Sequence, residues 1–254
     1  MLRTRVIPCL LLEDEALVKT TCFKNPLYIG DPINSVRIYN ELEVDELIFL
    51  DIKASKNAQK PPFKIIAEIA SECFMPFSYG GGIKTLDDAK QLFDLGVEKV
   101  VLNTAVAENP KLISDIARAY GDQSMIIACD VKKSFLGTYY CYIANGSKKI
   151  PQPLLDYVSF VESLGIGEIL VNSIDCDGKM SGFDTKLIQH VSSHVSVPVI
   201  ALGGAGELSD LEKAKEAGAS AIGLGSMAVF QNKSKGILIN FPTKKEILKI
   251  LNEK

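Results

Sequence analysis

Hydrophobic residues in this chain fall in short unbroken runs, and between the runs they recur at helical spacing. The runs, bounded by turn residues, predict strands near 5–10, 46–51, 76–79, 99–102, 125–130, 168–173, 198–202 and 221–224. Helical patterns lie between them: "INSVRIYNEL" after Asp31-Pro32, "PPFKIIAEIASE", "TLDDAKQLFDLG", "NPKLISDIARAYG" and "LSDLEKAKEAG". Prolines stand at two of the starts and glycines close several of the ends, as helix boundaries require. Eight strand-then-helix units over this length are the count of a (β/α)8 barrel. A doubly wound open sheet is the alternative. It needs fewer strands, and no G-x-G-x-x-G follows the first one.

Self-similarity sharpens the prediction. "SYGGGIKTLDDAKQLFDLGVEKVVLNTAV" (78–106) lies over "ALGGAGELSDLEKAKEAGASAIGLGSMAV" (201–229) without a gap, with Gly80 over Gly203, Gly81 over Gly204, and Gly96 and Gly218 nearly in step. "DELIFLDI" (45–52) lies over "GEILVNSI" (167–174), Glu46 matching Glu168. A single barrel of two half-barrels is expected, about 1–122 and 123–254, with no linker or second domain. "VNSIDCDGKMSGFDTK" and the hairpin "GTYYCYIANGSKK", with its Asn-Gly turn, read as elaborations of the second half. The apolar runs "RVIPCLLLEDE" and "SMIIACDVKKS" also resemble each other, but one ends on Leu11 where the other delivers Asp130.

Composition narrows the partners. At 254 residues and 47% hydrophobic the chain can bury one large core, and a net charge of −3 gives no basic balance for nucleic acid. No apolar run reaches the ~18 residues of a membrane span, and "MLRTRVIPCLLLEDE" has too short an apolar core for a signal peptide. Six scattered cysteines without a C-x-x-C pair predict free thiols in a reducing cytoplasm. His190 and His194 share a helical face without an intervening Glu or a third ligand; an outer helix face is favoured and no metal is expected.

The candidate chemistry lies at the C-terminal ends of the strands, where barrels of this type carry their sites. "YGGGI" follows the third strand, "NTAV" the fourth, "GGAG" the seventh and "GLGSMAV" the eighth. Glycines directly after a strand let backbone N–H groups approach an anion, and the next helix adds its N-terminal dipole. For one such pair a tight turn is the simpler reading; two related pairs favour two phosphate cradles and a long ligand with an anion at each end. Between them Asp130 is a candidate general acid or base, or else a loop cap or a partner for Lys132, Lys133 or Lys19. Asp177 and Gly178 could contact substrate or form only an Asx turn, and Cys176 has no base that would make it a nucleophile. At the opposite end, Arg5, Glu46, Lys99 and Glu168 each begin a strand. Two charges of each sign could close a ring there, which read on its own is a salt-bridge plug.

These pieces carry a resemblance that spans the whole chain. "RVIPCL", Lys19, "GDPI", "DELIFLDI", "YGGGI", "VLNTA", "IACDVK", "SIDCDGKMSGFDT", "ALGGAG" and "GEILVNSID" are similar to the HisF family, the cyclase subunit of imidazole glycerol phosphate synthase. The resemblance implies a glutaminase (HisH-like) partner at the barrel bottom, near Glu98, Lys99, Gln123 and Glu168. It also implies ammonia passing up the barrel to a bis-phosphorylated ribulosyl-aminoimidazole substrate, with no cofactor. By position, Arg5, Glu46, Lys99 and Glu168 match the ammonia gate and Asp130 one of two catalytic aspartates. Gly81, Gly82, Asn103 and Thr104 match one phosphate site, and Asp177, Gly178, Gly204, Gly225 and Ser226 the other. Lys19 matches the lysine of a mobile loop that closes on substrate.

Three departures stand out. The family's second catalytic aspartate falls on Leu11, with Glu13 or Asp14 as nearby substitutes; Leu202 replaces a small polar residue; and "FKNPLYIGDPI" lacks an expected basic residue. Together with "PLYIGDPINSVRIYNE" and the tail "SKGILINFP", these resemble WbuZ-type barrels found with sugar-modification genes. That subgroup implies ammonia supply to a separate ATP-dependent enzyme that amidates a surface sugar. A working histidine-pathway cyclase is the alternative, and a non-catalytic phosphate-binding barrel that regulates a glutaminase is a third. A sister isomerase would need an aspartate where Leu11 stands.

Overall fold

The computed structural model describes residues 3–231 and 236–253. Ser234 and Lys235 of the tail motif lie outside the described residues. Eight parallel strands close into a barrel in the order β1 (Arg5–Glu13), β4 (Leu47–Asp51), β5 (Phe77–Gly80), β6 (Lys99–Leu102), β7 (Met125–Lys133), β10 (Glu168–Ser173), β11 (Val199–Leu202) and β12 (Ala221–Leu224), with β12 pairing back onto β1. This is the (β/α)8 barrel expected from the runs. Four further strands, β2 (Ala16–Thr21), β3 (Lys24–Gly30), β8 (Tyr139–Ile143) and β9 (Lys148–Lys149), extend β1 and β7 as antiparallel hairpins. The helices that cover the barrel are α1 (Pro32–Glu41), α2 (Phe63–Glu72), α3 (Leu86–Asp94), α4 (Thr104–Glu108), α5 (Lys111–Tyr120), α6 (Leu154–Glu162), α7 (Thr185–Ser192), α8 (Ser209–Glu216) and α9 (Lys244–Ile250).

The strands read as unbroken apolar runs because both of their faces are buried. Inward-pointing Ile7, Ile48, Val101, Ile126, Leu170, Ile200 and Ala221 fill the barrel, while outward residues such as Leu10, Phe49 and Tyr79 pack under the helices. Each fully buried side chain of this size contributes roughly 1.5–3 kcal/mol. The helix starts follow local chemistry: Asp31 caps α1 ahead of Pro32, and Thr85 with Asp88 forms a capping box on α3.

Strand register corrects the gapless repeat by one position. Ile48 pairs with Ser78, and Leu170, which is equivalent to Ile48, pairs with Ile200. Ser78 therefore corresponds to Ile200, not Ala201. A one-residue slip would set inward side chains over outward ones, which the pleat forbids. The buried carboxylates agree: Asp88 accepts from the Lys84 and Thr85 amides as Asp210 does from those of Gly206 and Glu207. On this register Gly81 lies over Gly203, Gly82 over Gly204, Asn103 over Gly225 and Thr104 over Ser226.

A second correction concerns the hairpins. The β8–β9 hairpin is not particular to the second half, because β2 and β3 stand at the matching place in the first. The turns on either side of β2 contain no glycine to announce them. Asp14-Glu15 and Cys22-Phe23 each bridge two strands with both residues at positive φ, between 50° and 64°.

Candidate functional site at the barrel mouth

The C-terminal ends of the strands open into a hollow with about 910 Å³ of empty space, counted out into open solvent, that reaches Lys19, Gly81, Gly82, Asn103, Thr104, Asp130, Asp177 and Gly225. A smaller depression, with about 250 Å³ of empty space by the same count, adjoins it and is lined by Asp177, Gly178, Gly204, Gly225 and Ser226. The two share Asp177, Leu202 and Gly225. The candidate residues for the two cradles thus gather in two connected hollows, one on each side of the mouth.

Glycine is obligatory at two of these positions. At Gly81 φ is +122° and an added Cβ would meet Asp51 at 2.7 Å; at Gly204 φ is +120° and it would meet the Gly182 carbonyl at 2.2 Å. Not every candidate group is free for a ligand. The Asn103 amide donates to the Ala128 and Tyr142 carbonyls at 2.9 and 3.1 Å, and Thr104 Oγ1 accepts from the Ala144 amide at 3.0 Å. Both residues tie the β8–β9 hairpin to the first hollow. Ser55 Oγ accepts from the Gly82 amide at 3.3 Å.

Lys19 lies in β2 rather than in an open loop. It is buried, and its ammonium donates to the Cys9 carbonyl at 2.5 Å. Burial lowers its pKa against the opposing pull of Cys9 and Asp177. Thr20 donates to Asp177 at 3.1 Å, and the Cys22 amide to the Asp177 carbonyl at 3.0 Å, so the first hairpin is latched to the loop after β10. Burial raises the Asp177 pKa; the Lys19 charge and the Thr20 and Phe23 hydrogen bonds oppose the rise.

Asp130 points into the mouth from β7, and its contacts are Asn172 and Asn103 rather than Lys132, Lys133 or Lys19. Burial and then the Asp177 charge push its pKa up to about 7, against the Asn172 hydrogen bond. It therefore exchanges a proton near neutrality, which suits a general acid or base. In register Asp130 pairs with Asn172, and Leu11, its counterpart in the first half, pairs with Leu50. The mouth has one polar wall and one apolar wall, the latter extended by Leu202. Glu13 and Asp14 do not replace the missing carboxylate. Both are held by Lys53, at 2.7 and 2.6 Å, and Asp14 is 71% exposed.

Asn172, Thr20 and Ser55 line the cavity and were not singled out in the sequence. Asn172 shares the inward parity of Glu168 and Leu170, which is the signal that would have flagged it. His190 and His194 go separate ways: one ring lies against Tyr139 and the other meets Ser159 Oγ at 2.8 Å.

At the far end of the barrel, Arg5, Glu46, Lys99 and Glu168 close a ring of ion pairs. Arg5 meets Glu46 at 2.7 Å and Lys99 meets Glu46 at 3.5 Å, while both cations also bind Glu168 directly. The two carboxylates are buried.

Residues 5–234 match the family described as histidine biosynthesis protein. A Pseudomonas aeruginosa protein, named provisionally as imidazole glycerol phosphate synthase subunit hisF2, is 50% identical over 243 residues, covering 95% of this chain and 97% of the relative. The chain belongs to the HisF family. Another HisF protein, named provisionally as subunit hisF3 of Vibrio vulnificus, is 46% identical over 99% of this chain and 97% of its own length. The imidazole glycerol phosphate synthase subunit HisF of Streptococcus sanguinis is 40% identical over 92% of this chain and 95% of its own length. Among the described residues, no helix of this HisF barrel is long and apolar enough to cross a membrane.

Proposed function

We propose that this HisF-type barrel holds a two-ended phosphate ligand and pairs at its bottom face with a HisH-like glutaminase. In this reading it conducts ammonia toward amidation of a surface sugar by a separate ATP-dependent enzyme, as WbuZ-type barrels do. The observation that carries the reading is the mouth: Leu11 occupies the place equivalent to Asp130 and packs in register with Leu50. A cyclisation that needs one carboxylate to give a proton while another takes one has half its pair. The closed ion-pair ring at the barrel bottom and the two joined hollows are consistent with a kept ammonia path and kept ligand sites. Names numbered hisF2 and hisF3 among the relatives fit a copy set apart from a histidine-pathway one.

The second reading, a working cyclase, is favoured by retained Asp130 and by the identity to the Streptococcus sanguinis subunit. Ammonia-dependent turnover of the bis-phosphorylated ribulosyl-aminoimidazole substrate separates the two, measured on the purified chain beside Leu11→Asp. The expected outcome is no turnover by the chain itself and measurable turnover by Leu11→Asp. Clear turnover by the unaltered chain would mean Asp130 suffices, and the amidation reading would fall.

A further inference from the structure

Two hairpin tips rise above the mouth on opposite sides, and they differ in chemistry. The β1–β2 turn and the β7–β8 turn hold matching places in the two halves, across the barrel from each other. The first tip is acidic: Glu13, Asp14 and Glu15 follow one another, with Lys53 bound to the first two and Glu15 exposed. The outer strand of that hairpin also exposes Leu27 and Tyr28, to 43% and 61%. The second tip is basic and apolar. Lys132 and Lys133 lead into a turn that leaves Phe135 fully exposed and Leu136 89% exposed, and exposed Lys148 and Lys149 follow on β9. At about 3.3 Å per residue, Lys133 stands roughly 10 Å beyond Asp130. Hydrogen bonds fix this tip: the Ser134 amide donates to the Thr138 carbonyl at 2.8 Å, and the Thr138 amide to Ser134 Oγ at 3.0 Å. Lys133 and Lys149 lie over the Tyr139 and Tyr140 rings, and among the described residues none of the four ammonium groups pairs with a carboxylate. Asp175 accepts from the Lys133 backbone amide and leaves a local excess of positive charge, in a chain whose net charge is −3.

We infer that this mouth face is a docking surface for a second copy of the chain. A twofold axis lying across the mouth, perpendicular to the line between the tips, sets the acidic tip of each copy against the basic tip of the other. Both contacts are then identical, as a closed pair requires. An axis along that line would set lysines against lysines, which repulsion disfavours. A flat anionic surface such as a membrane suits the basic tip but repels the acidic one; a second copy satisfies both. Phe135 and Leu136 of one copy meet the hairpin that carries Leu27 and Tyr28 on the other. Covering these four side chains in both copies removes roughly 1,000 Å² from water, near the lower end of specific interfaces, so a reversible pair with a dissociation constant of about 1–100 µM is expected. Both barrel bottoms point outward and stay open to a glutaminase. An acceptor enzyme at the mouth has to displace the partner copy, so the pair is the resting form.

The test is sedimentation velocity of the full chain from about 1 to 200 µM at low salt, where attraction between exposed charges is least screened. A concentration-dependent dimer is expected. Phe135→Ser/Leu136→Ser should weaken it about tenfold or more without moving the melting temperature, because both side chains are exposed. Charge reversal reads the pairing of the tips. Lys132→Glu/Lys133→Glu makes both tips acidic, and Asp14→Asn/Glu15→Lys makes both basic, so each variant alone should be a monomer across the range. Mixed in equal amounts, the two variants should form a dimer again, because each acidic tip then meets a basic one. A monomeric unaltered chain overturns the inference, as does a dimer indifferent to these changes. A mixture that stays monomeric, although both variants melt like the unaltered chain, overturns it as well. Vesicles of phosphatidylglycerol and phosphatidylcholine serve as the control: a monomer that binds them through Phe135 assigns the tip to lipid and sinks the proposal.

Discussion

Glu168→Ala is expected to lower folding stability by about 3–5 kcal/mol, because it leaves two cations sharing one carboxylate at the closed end of the barrel. Glu168 accepts from both Arg5 and Lys99, and its side chain is 9% exposed. Its own pKa shows the balance. Burial works to raise it, but the hydrogen bonds and charges of Arg5 and Lys99 prevail and hold it below its ordinary value. A carboxylate with a depressed folded pKa contributes stability that is present above the unfolded pKa and is lost as pH falls through the folded one. The ring should therefore loosen only in acid. In a chain of this size the loss amounts to roughly 10 °C in melting temperature. The loss should be smaller in Arg5→Met/Glu168→Leu, in which a cation and an anion leave together and the Lys99–Glu46 pair remains. Thermal melts of the two variants side by side decide the matter. If the double variant were the less stable, the ring would be a net stabiliser of the barrel rather than a set of mutually compensating charges.

The same ring illustrates what could be read in advance. Arg5, Glu46, Lys99 and Glu168 were legible because each charge interrupts an apolar run at its first residue, and barrel strands expose only that end and the other. All eight barrel strands were legible for the related reason that burial on both faces leaves a continuous apolar run. The hairpins were not equally visible. Ala144, Asn145 and Gly146 turn between β8 and β9 with an Asn-Gly signal, whereas Asp14-Glu15 and Cys22-Phe23 adopt the same positive φ with no residue type that announces it. The mobile loop that the resemblance implies for Lys19 is instead the buried strand β2. Register was misjudged because the glycine pairs draw the two halves together by identity, while the pleat sets them one residue apart. Asn172 carries only the inward parity that it shares with Glu168 and Leu170, a weaker signal than a charge at the first residue of a strand. Glu13 and Asp14 could be dismissed as substitutes for a carboxylate at Leu11 only once Lys53 was seen to hold both.

Asp130→Asn is expected to stabilise the protein at pH 8 by on the order of 2–4 kcal/mol and to leave it nearly unchanged at pH 4. Burial, and then the neighbouring Asp177 charge, raises the Asp130 pKa from 3.8 to about 7. An acid whose folded pKa is raised contributes stability that is fully present below its unfolded pKa and lost as pH rises through the folded one. Between about pH 4 and 7 the folded chain therefore keeps a proton that the unfolded chain releases. Asparagine has the same shape, still accepts from the Asn172 amide and cannot ionise, so the loss at higher pH disappears. Urea midpoints for both proteins at the two pH values read this directly, and a gain of equal size at pH 4 and pH 8 would show that Asp130 ionises at no cost in the fold. If Asp130 moves a proton in turnover, as the cyclase reading requires, Asp130→Asn abolishes that turnover. Leu11→Asp should have the opposite effect on stability. A second carboxyl at the mouth would push the Asp130 pKa higher still and steepen the pH dependence, as happens when like charges face one another. The leucine at position 11 thus relieves the barrel of one buried charge at the site where a two-carboxylate mechanism would require it.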